Sequence, residues 1–266
     1  IDVKAFEIDE VTAAVATYNL APFENAFVEQ ADVTTLDLTK FGGLFFDPAR
    51  RELGGPARER ATRKFDPAAY SPTFDFVMEA AAKKPTGVKF GPGHPHEGIP
   101  DDAEAQWVSV DGDLVELGLW FGSVARPDVK RAALLIIGNS RFEITSKSAE
   151  RQDAPIGVLS DYVYEPDNAV VRSHLIGQLA EQIDATLFAP EIAYLTSAMP
   201  IESPWLKGYR VLDNLVFDRK KLKAYLRERN IGTLEIKKRG SDIVPEQLRK
   251  ELAPKGEGAA TLIVTR

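Results

Sequence analysis

Phe41-Gly-Gly-Leu-Phe-Phe-Asp-Pro-Ala-Arg-Arg51 is an apolar run that stops abruptly on an acid and a proline. Leu44, Phe45 and Phe46 show no polar alternation, the pattern of a strand covered on both faces in a parallel α/β sheet. Pro48 has no amide hydrogen to extend a ladder. The chain is therefore expected to leave the sheet there, with Asp47 at the carboxyl edge, where open α/β sheets bind ligands. Asp47 with Arg50 and Arg51 reads either as a site for a charged or polar substrate or as a loop cap beside solvated arginines.

Upstream, Val3-Lys-Ala-Phe-Glu7 reads as a strand ending on Glu7 and followed by Asp9, a suitable N-cap. A helix is expected over residues 10–20, with Val11, Ala14, Val15 and Tyr18 at helical spacing. Ala26-Phe-Val-Glu-Gln-Ala-Asp32 reads as the next strand, again closing on an acid. Three successive strands thus deliver Glu7, Asp32 and Asp47 to one edge of a sheet.

Downstream, residues 51–71 are rich in Arg, Gly and Pro and read as a long loop or lid, with arginines at 50, 51, 58, 60 and 63. A helix is expected over residues 74–84, followed by a strand and the turn Gly91-Pro-Gly93. That turn lacks the Lys-Ser/Thr pair of a phosphate loop. His94 and His96 stand two apart beside Glu97, but no third ligand is in register, so no metal site is expected. Apolar runs on either side of Asp111-Gly112 predict a hairpin, and residues 131–137 read as a further buried strand.

Beyond a polar stretch near Ser146 to Pro155 the pattern changes. A long amphipathic helix is expected over residues 168–188, carrying Val171, Leu175, Leu179 and Ile183, with His174 at the stripe's border. A strand over 209–217, a basic helix from Asp218 to Arg229, a strand over 233–239, a helix opening on Pro245 and a strand over 259–265 make a compact βαβαβ unit. Two domains are expected, residues 1–150 and 151–266.

The 266 residues, 44% of them hydrophobic, are ample for packed cores. No apolar run approaches the roughly 20 residues of a membrane span, and no leader is evident, so a soluble, cytoplasmic protein is expected. Cysteine is absent, which excludes disulfides, thiolate metal sites and a cysteine nucleophile. Residues 205–266 hold 15 Lys and Arg against 8 Asp and Glu, a net of +7, so the rest of the chain carries −14 of the total −7. Either the tail meets a polyanion or its charges are an ordinary solvated surface.

The acid-ended strands at Glu7 and Asp32 and the Asp47-Pro48 turn resemble, in order and spacing, class I methyltransferases that use S-adenosylmethionine. Ile231-Gly-Thr-Leu-Glu-Ile-Lys-Lys-Arg-Gly240, with Asp242, Pro245 and Leu248-Arg249, resembles the C-terminal THUMP-like domain of a bacterial branch of that family. Phe46-Asp-Pro-Ala-Arg-Arg51 and Trp107-Val-Ser-Val-Asp-Gly-Asp113 are similar to the same branch. The resemblance covers essentially the whole chain.

It implies an α/β, Rossmann-like class I methyltransferase sheet followed by a small βαβαβ THUMP-like domain. Glu7 would accept the ribose hydroxyls, Asp32 the adenine amino group, and Asp47 would lie beside the methyl-donor end as a cofactor-binding and catalytic residue. THUMP-type domains are associated with RNA, which implies a transfer or ribosomal RNA partner met by Arg50, Arg51, Lys237, Lys238 and Arg239. Ala49 and Arg50 stand where base-directed relatives have a second proline and a stacking aromatic. The glycine-rich turn that holds the methionine part of the cofactor would precede Ile1. The chain is accordingly expected to be a fragment lacking the first strand, free of cofactor and inactive by itself. Self-association through the sheet gap is a further expectation. The rival reading is a non-catalytic RNA-binding or scaffolding protein with a methyltransferase fold; methylation of a small molecule or protein is a third.

Overall fold

A computed structural model describes residues 1–50 and 70–265, without the Arg50 side chain. Arg51 and the expected lid arginines at 58, 60 and 63 lie outside the described residues. The chain divides into two compact units, residues 1–106 with 115–130, and residues 107–114 with 131–266.

In the first unit, β1 (Val3–Glu7), α1 (Glu10–Leu20) and β2 (Ala26–Gln30) form a parallel β-α-β step, in register from Val3 opposite Ala26 to Glu7 opposite Gln30. Asp9 caps α1 by accepting the Thr12 amide hydrogen at 2.8 Å. Of the residues at helical spacing, Val11, Val15 and Tyr18 are 71%, 54% and 82% exposed and Ala14 is exposed as well, while Ala13 is buried. The small-residue side of α1 is the one laid on the strands.

β3 (Leu44–Phe46) ends at Asp47, and β4 (Ala49–Arg50) turns away to pair antiparallel with β5 (Tyr70–Ser71). Thr73 caps α2 (Phe74–Ala81), whose Phe76 ring meets Phe46 edge-on. β6 (Thr86–Phe90) runs parallel to β3, with Phe45 opposite Gly87 and Phe46 opposite Val88. β3 is covered on one face only among the described residues: Phe46 is buried, but Phe45 is 63% exposed. β7 (Glu104–Val110) and β8 (Asp113–Phe121) flank the expected Asp111-Gly112 turn, whose φ angles of 50° and 88° are the left-handed pair that such a two-residue hairpin requires. β8 is antiparallel to β6, with Thr86 opposite Phe121 and Phe90 opposite Leu117.

In the second unit, β9 (Arg131–Ile137) and β10 (Ser140–Ser146) form an antiparallel hairpin, Ser140 standing opposite Ile137 and Ser146 opposite Arg131. β9 and β10 pack with the helices that follow, α3 (Asn168–Arg172) and α4 (Ile176–Ile183). The single helix expected over 168–188 is therefore two, parted at His174, whose φ of 63° no α-helix accommodates. Leu175 and Leu179 are buried all the same.

β11 (Tyr162–Pro166) pairs antiparallel with both β13 (Leu195–Ser197) and β14 (Leu206–Arg210), and β12 (Thr186–Leu187) completes the order β12-β13-β11-β14. Beyond Arg210 the strand expected to run to 217 is irregular. Asp218 then caps α5 (Arg219–Glu228) by accepting the Lys221 amide hydrogen at 2.8 Å. β15 (Ile231–Lys238), α6 (Pro245–Leu252) and β16 (Gly258–Val264) follow, β15 and β16 being parallel. Of the expected βαβαβ unit the tail keeps α5-β15-α6-β16, whereas the strand expected to open it is displaced to Leu206–Arg210 and pairs with β11 in a separate sheet. Its own core gathers Leu222 and Leu226 of α5, Leu234 and Ile236 of β15, Leu248 and Leu252 of α6, and Val264. Burial of each such side chain stabilises by about 1.5–3 kcal/mol.

Candidate functional site

Glu7 and Asp32 lie together. The parallel register brings the carboxyl ends of β1 and β2 level, and the Ala31 amide donates to the Glu7 carbonyl at 3.0 Å, so Asp32 emerges one residue beyond that junction. Glu7 Oε1 accepts the Asp9 amide hydrogen at 2.9 Å, while Oε2 accepts no hydrogen bond among the described residues. Asp32 Oδ1 accepts from the Thr34 amide at 2.9 Å and the Thr34 hydroxyl at 2.7 Å, which fixes the carboxylate as the cap of a 3-10 turn over Val33–Thr35. Two oriented carboxylates on one rim are an acceptor set. A ribose diol and an adenine amino group, both donors, fit it.

Asp47 ends β3 in the other sheet. No strand pairing joins β1 to β3 among the described residues, although the Phe6 and Phe41 rings meet edge-on at 5.7 Å. The Asp47 carboxylate is not alone: Lys89 Nζ of β6 donates to its Oδ2 at 2.6 Å. The bond to Asp47 holds the Lys89 ammonium above the ordinary lysine range against a modest burial cost, helped by the charges of Asp47 and Glu116. Lys89 was not singled out in the sequence. The available signal was a lone cation in the otherwise apolar run Thr86-Gly-Val-Lys-Phe90.

His94 is buried with its ring stacked on Phe90 at 4.8 Å, and no group of three His, Asp or Glu suited to a metal ion occurs among the described residues. A cavity of about 580 Å3 is lined by Glu104, Ser123, Arg126 and Lys130. It belongs to the far edge: Phe121, which precedes its Gly122 and Ser123, stands opposite the first residue of β6, whereas Lys89 is next to the last. Glu104 is also already bound there by the Arg126 backbone amide at 2.8 Å and side-chain Nε at 2.9 Å.

The three cations read as one RNA-binding run part company in the second unit. Lys237 Nζ donates to Glu165 Oε2 at 2.6 Å, and an Arg239 guanidinium nitrogen donates to Glu165 Oε1 at 2.9 Å. The Tyr194 and Tyr209 hydroxyls add longer bonds to the same carboxylate at 3.3 and 3.4 Å. Burial pushes the Glu165 carboxyl up, but Lys237 and Arg239 outweigh it and hold the group below its usual value. Burial, and then the Glu165 charge, push the Tyr194 phenol up to about 12. Lys238 is exposed, as are Lys220, Lys221 and Arg227 on α5, and none of these four is ion-paired among the described residues. For Arg50 the structure gives only the backbone pairing with Tyr70.

Residues 206–266 match the family model described as THUMP domain-like. Over 268 aligned residues the chain is 28% identical to two curated proteins of Mycobacterium tuberculosis, from strains CDC 1551 and H37Rv, each described as an uncharacterized S-adenosylmethionine-dependent methyltransferase. The match takes in 98% of this chain and 70% of each relative. The crystal structure of a proposed methyltransferase from Porphyromonas gingivalis W83 superposes with a TM-score of 0.74 at 19% identity, over 98% of this chain and 67% of that one. These likenesses bear out the resemblance read from the sequence, an α/β methyltransferase fold with a THUMP-like domain at its carboxyl end. No helix among the described residues is long and apolar enough to cross a membrane.

Proposed function

We propose that this chain supplies the nucleoside rim and the RNA-binding tail of an S-adenosylmethionine-dependent methyltransferase acting on structured RNA, such as transfer or ribosomal RNA. The observation that carries the reading is the pair of carboxylates, Glu7 and Asp32, brought to one rim by the β1–β2 register. Glu7 receives the ribose hydroxyls and Asp32 the adenine amino group. When bound, the cofactor supplies a methyl group on a sulfonium centre. Asp47 holds the accepting group in line for transfer, which demands positioning more than an elaborate set of side chains. Arg50 and Arg51, which follow Asp47 by three and four residues in the sequence, are the cations this reading assigns to RNA contact there. In the tail, Lys238 and the outer face of α5 make phosphate contacts, with Lys237 and Arg239 shaping the surface through Glu165.

Isothermal titration of the full-length protein with S-adenosylmethionine tests the rim. Glu7→Ala weakens binding at least tenfold; an unchanged affinity takes Glu7 out of the site. RNA binding is read as log affinity against log salt concentration. Lys238→Ala with Lys220→Ala flattens the slope by roughly 0.7–0.9 for each phosphate no longer neutralised. A slope that stays put, or no retention of RNA at any salt, removes RNA as the partner.

Ala49 and Arg50, in place of a proline and a stacking aromatic, favour a second reading, a protein that binds RNA without methylating it. RNA binding unaccompanied by S-adenosylmethionine binding in the full-length protein selects that reading.

A further inference from the structure

A lysine on β6 has no evident structural purpose. Strand interiors disfavour lysine, ordering its four-carbon stem costs conformational entropy, and the other residues of Thr86–Phe90 are buried. Its partner offers little stability in return. The Lys89 and Asp47 side chains are 41% and 57% exposed, a range in which ion pairs contribute almost nothing measurable.

The ladder explains why the two meet. Phe45 stands opposite Gly87 and Phe46 opposite Val88, so one step further along the same parallel register Asp47 comes level with Lys89. With a period of two, both side chains then fall on the face shared by Phe45 and Gly87. The charged groups acting on Lys89 are Asp47 from β3 and Glu116 from β8, and only Asp47 is hydrogen-bonded to it. The bond occupies Asp47 Oδ2. Oδ1 accepts no hydrogen bond among the described residues.

We infer that Lys89 is a positioning residue for Asp47, clamping Oδ2 so that Oδ1 is presented at the carboxyl edge of the sheet to the group that accepts the methyl. This assignment rests on the methyltransferase reading above. It adds a residue which that reading does not need for binding the cofactor. A carboxylate on a short side chain at a strand end has two freely interconverting oxygens. An ammonium held on the neighbouring strand removes that freedom, and misplacement by about 1 Å can lower a rate by about a hundredfold.

The test uses the full-length protein and its Lys89→Met, Lys89→Arg and Asp47→Asn variants. With labelled lysine, the Lys89 resonance titrates above the ordinary lysine range, and in Asp47→Asn it falls back toward it. This readout requires neither cofactor nor RNA. In methyl transfer, Lys89→Met lowers kcat ten- to a hundredfold while the dissociation constant for S-adenosylmethionine changes less than twofold. Lys89→Arg restores the rate to within about threefold of wild type. Wild-type turnover in Lys89→Met, or a Lys89 titration indifferent to Asp47→Asn, overturns the assignment of Lys89 alone. Failure of the wild type to bind S-adenosylmethionine overturns the methyltransferase reading and the role of Lys89 with it.

Discussion

Replacing Glu165 by Gln keeps the size and most of the hydrogen bonding of the side chain while deleting its charge. Lys237 and Arg239 then face each other across two tyrosines, with Glu235 the remaining acid, 3.5 Å from Lys237 Nζ. Removing one member of a fully buried pair costs about 3–5 kcal/mol, and an exposed pair is worth about 0–1 kcal/mol. The Glu165 and Lys237 side chains are 19% and 20% exposed, nearer the buried limit, whereas Arg239 at 43% is largely solvated and adds little. With Glu235 offsetting part of the loss, the expected cost is about 2 kcal/mol. Urea unfolding followed by the fluorescence of Trp205, buried in the same unit, measures it. Lys237→Met completes a double-mutant cycle with an expected coupling of about 1–2 kcal/mol. The Glu165 carboxyl is held below its ordinary value, so its contribution is complete above that value and disappears as pH falls through the folded-state value. The gap between wild type and Glu165→Gln should accordingly be level from pH 7 to about 4.5 and close below that. A cost under about 0.5 kcal/mol at pH 7 with no coupling to Lys237 would refute the reasoning, because it would mean the pair behaves as though fully solvated.

Two further predictions concern the tail. Gly232 marks a register shift in the β15–β16 ladder, and a Cβ added there would overlap the carbonyl oxygen of Gly256. Gly232→Ala should therefore destabilise by about 1–3 kcal/mol, and a thermal midpoint equal to wild type would show that the backbone yields freely. Leu248, 2% exposed in the tail core, should lose about 2–5 kcal/mol on change to Ala in urea unfolding; a cost under about 1 kcal/mol would mean the site collapses around the cavity.

What the sequence disclosed, and what it withheld, follows from the range of the interactions involved. The Asp111-Gly112 turn is decided by two residues that tolerate positive φ, and the termination of β3 at Asp47 by a proline ring; both are local and both were legible. Helical spacing in residues 10–20 grouped Val11, Val15 and Tyr18 on one face. Spacing tells which residues share a face, and only tertiary packing tells whether anything covers it. The same limit applies at 168–188, where an apolar stripe continues straight across the break at His174 because Leu175 and Leu179 are buried on either account. Residues 211–217 have strand composition, but a strand exists only where another lies alongside, and β11 offers its ladder to Leu206–Arg210 instead.

The cations of the tail show the same limit in another form. Lys237-Lys238-Arg239 reads as one block of positive charge because a sequence is one-dimensional. On a strand the block splits: 237 and 239 share a face and 238 takes the other. Lys238 follows Leu234 and Ile236 onto the face that α5 and α6 cover, whereas Lys237 and Arg239 turn to Glu165 on β11. A partner approaching either face meets at most two of the three charges, and the two on the Glu165 side are already balanced. The net charge of +7 counted over residues 205–266 therefore overstates what a polyanion can engage at β15. The unpaired share sits with Lys238 and the outer side of α5, and a salt-dependence experiment that mutates the triplet as a unit would confuse a weakened hold on phosphate with the release of Glu165.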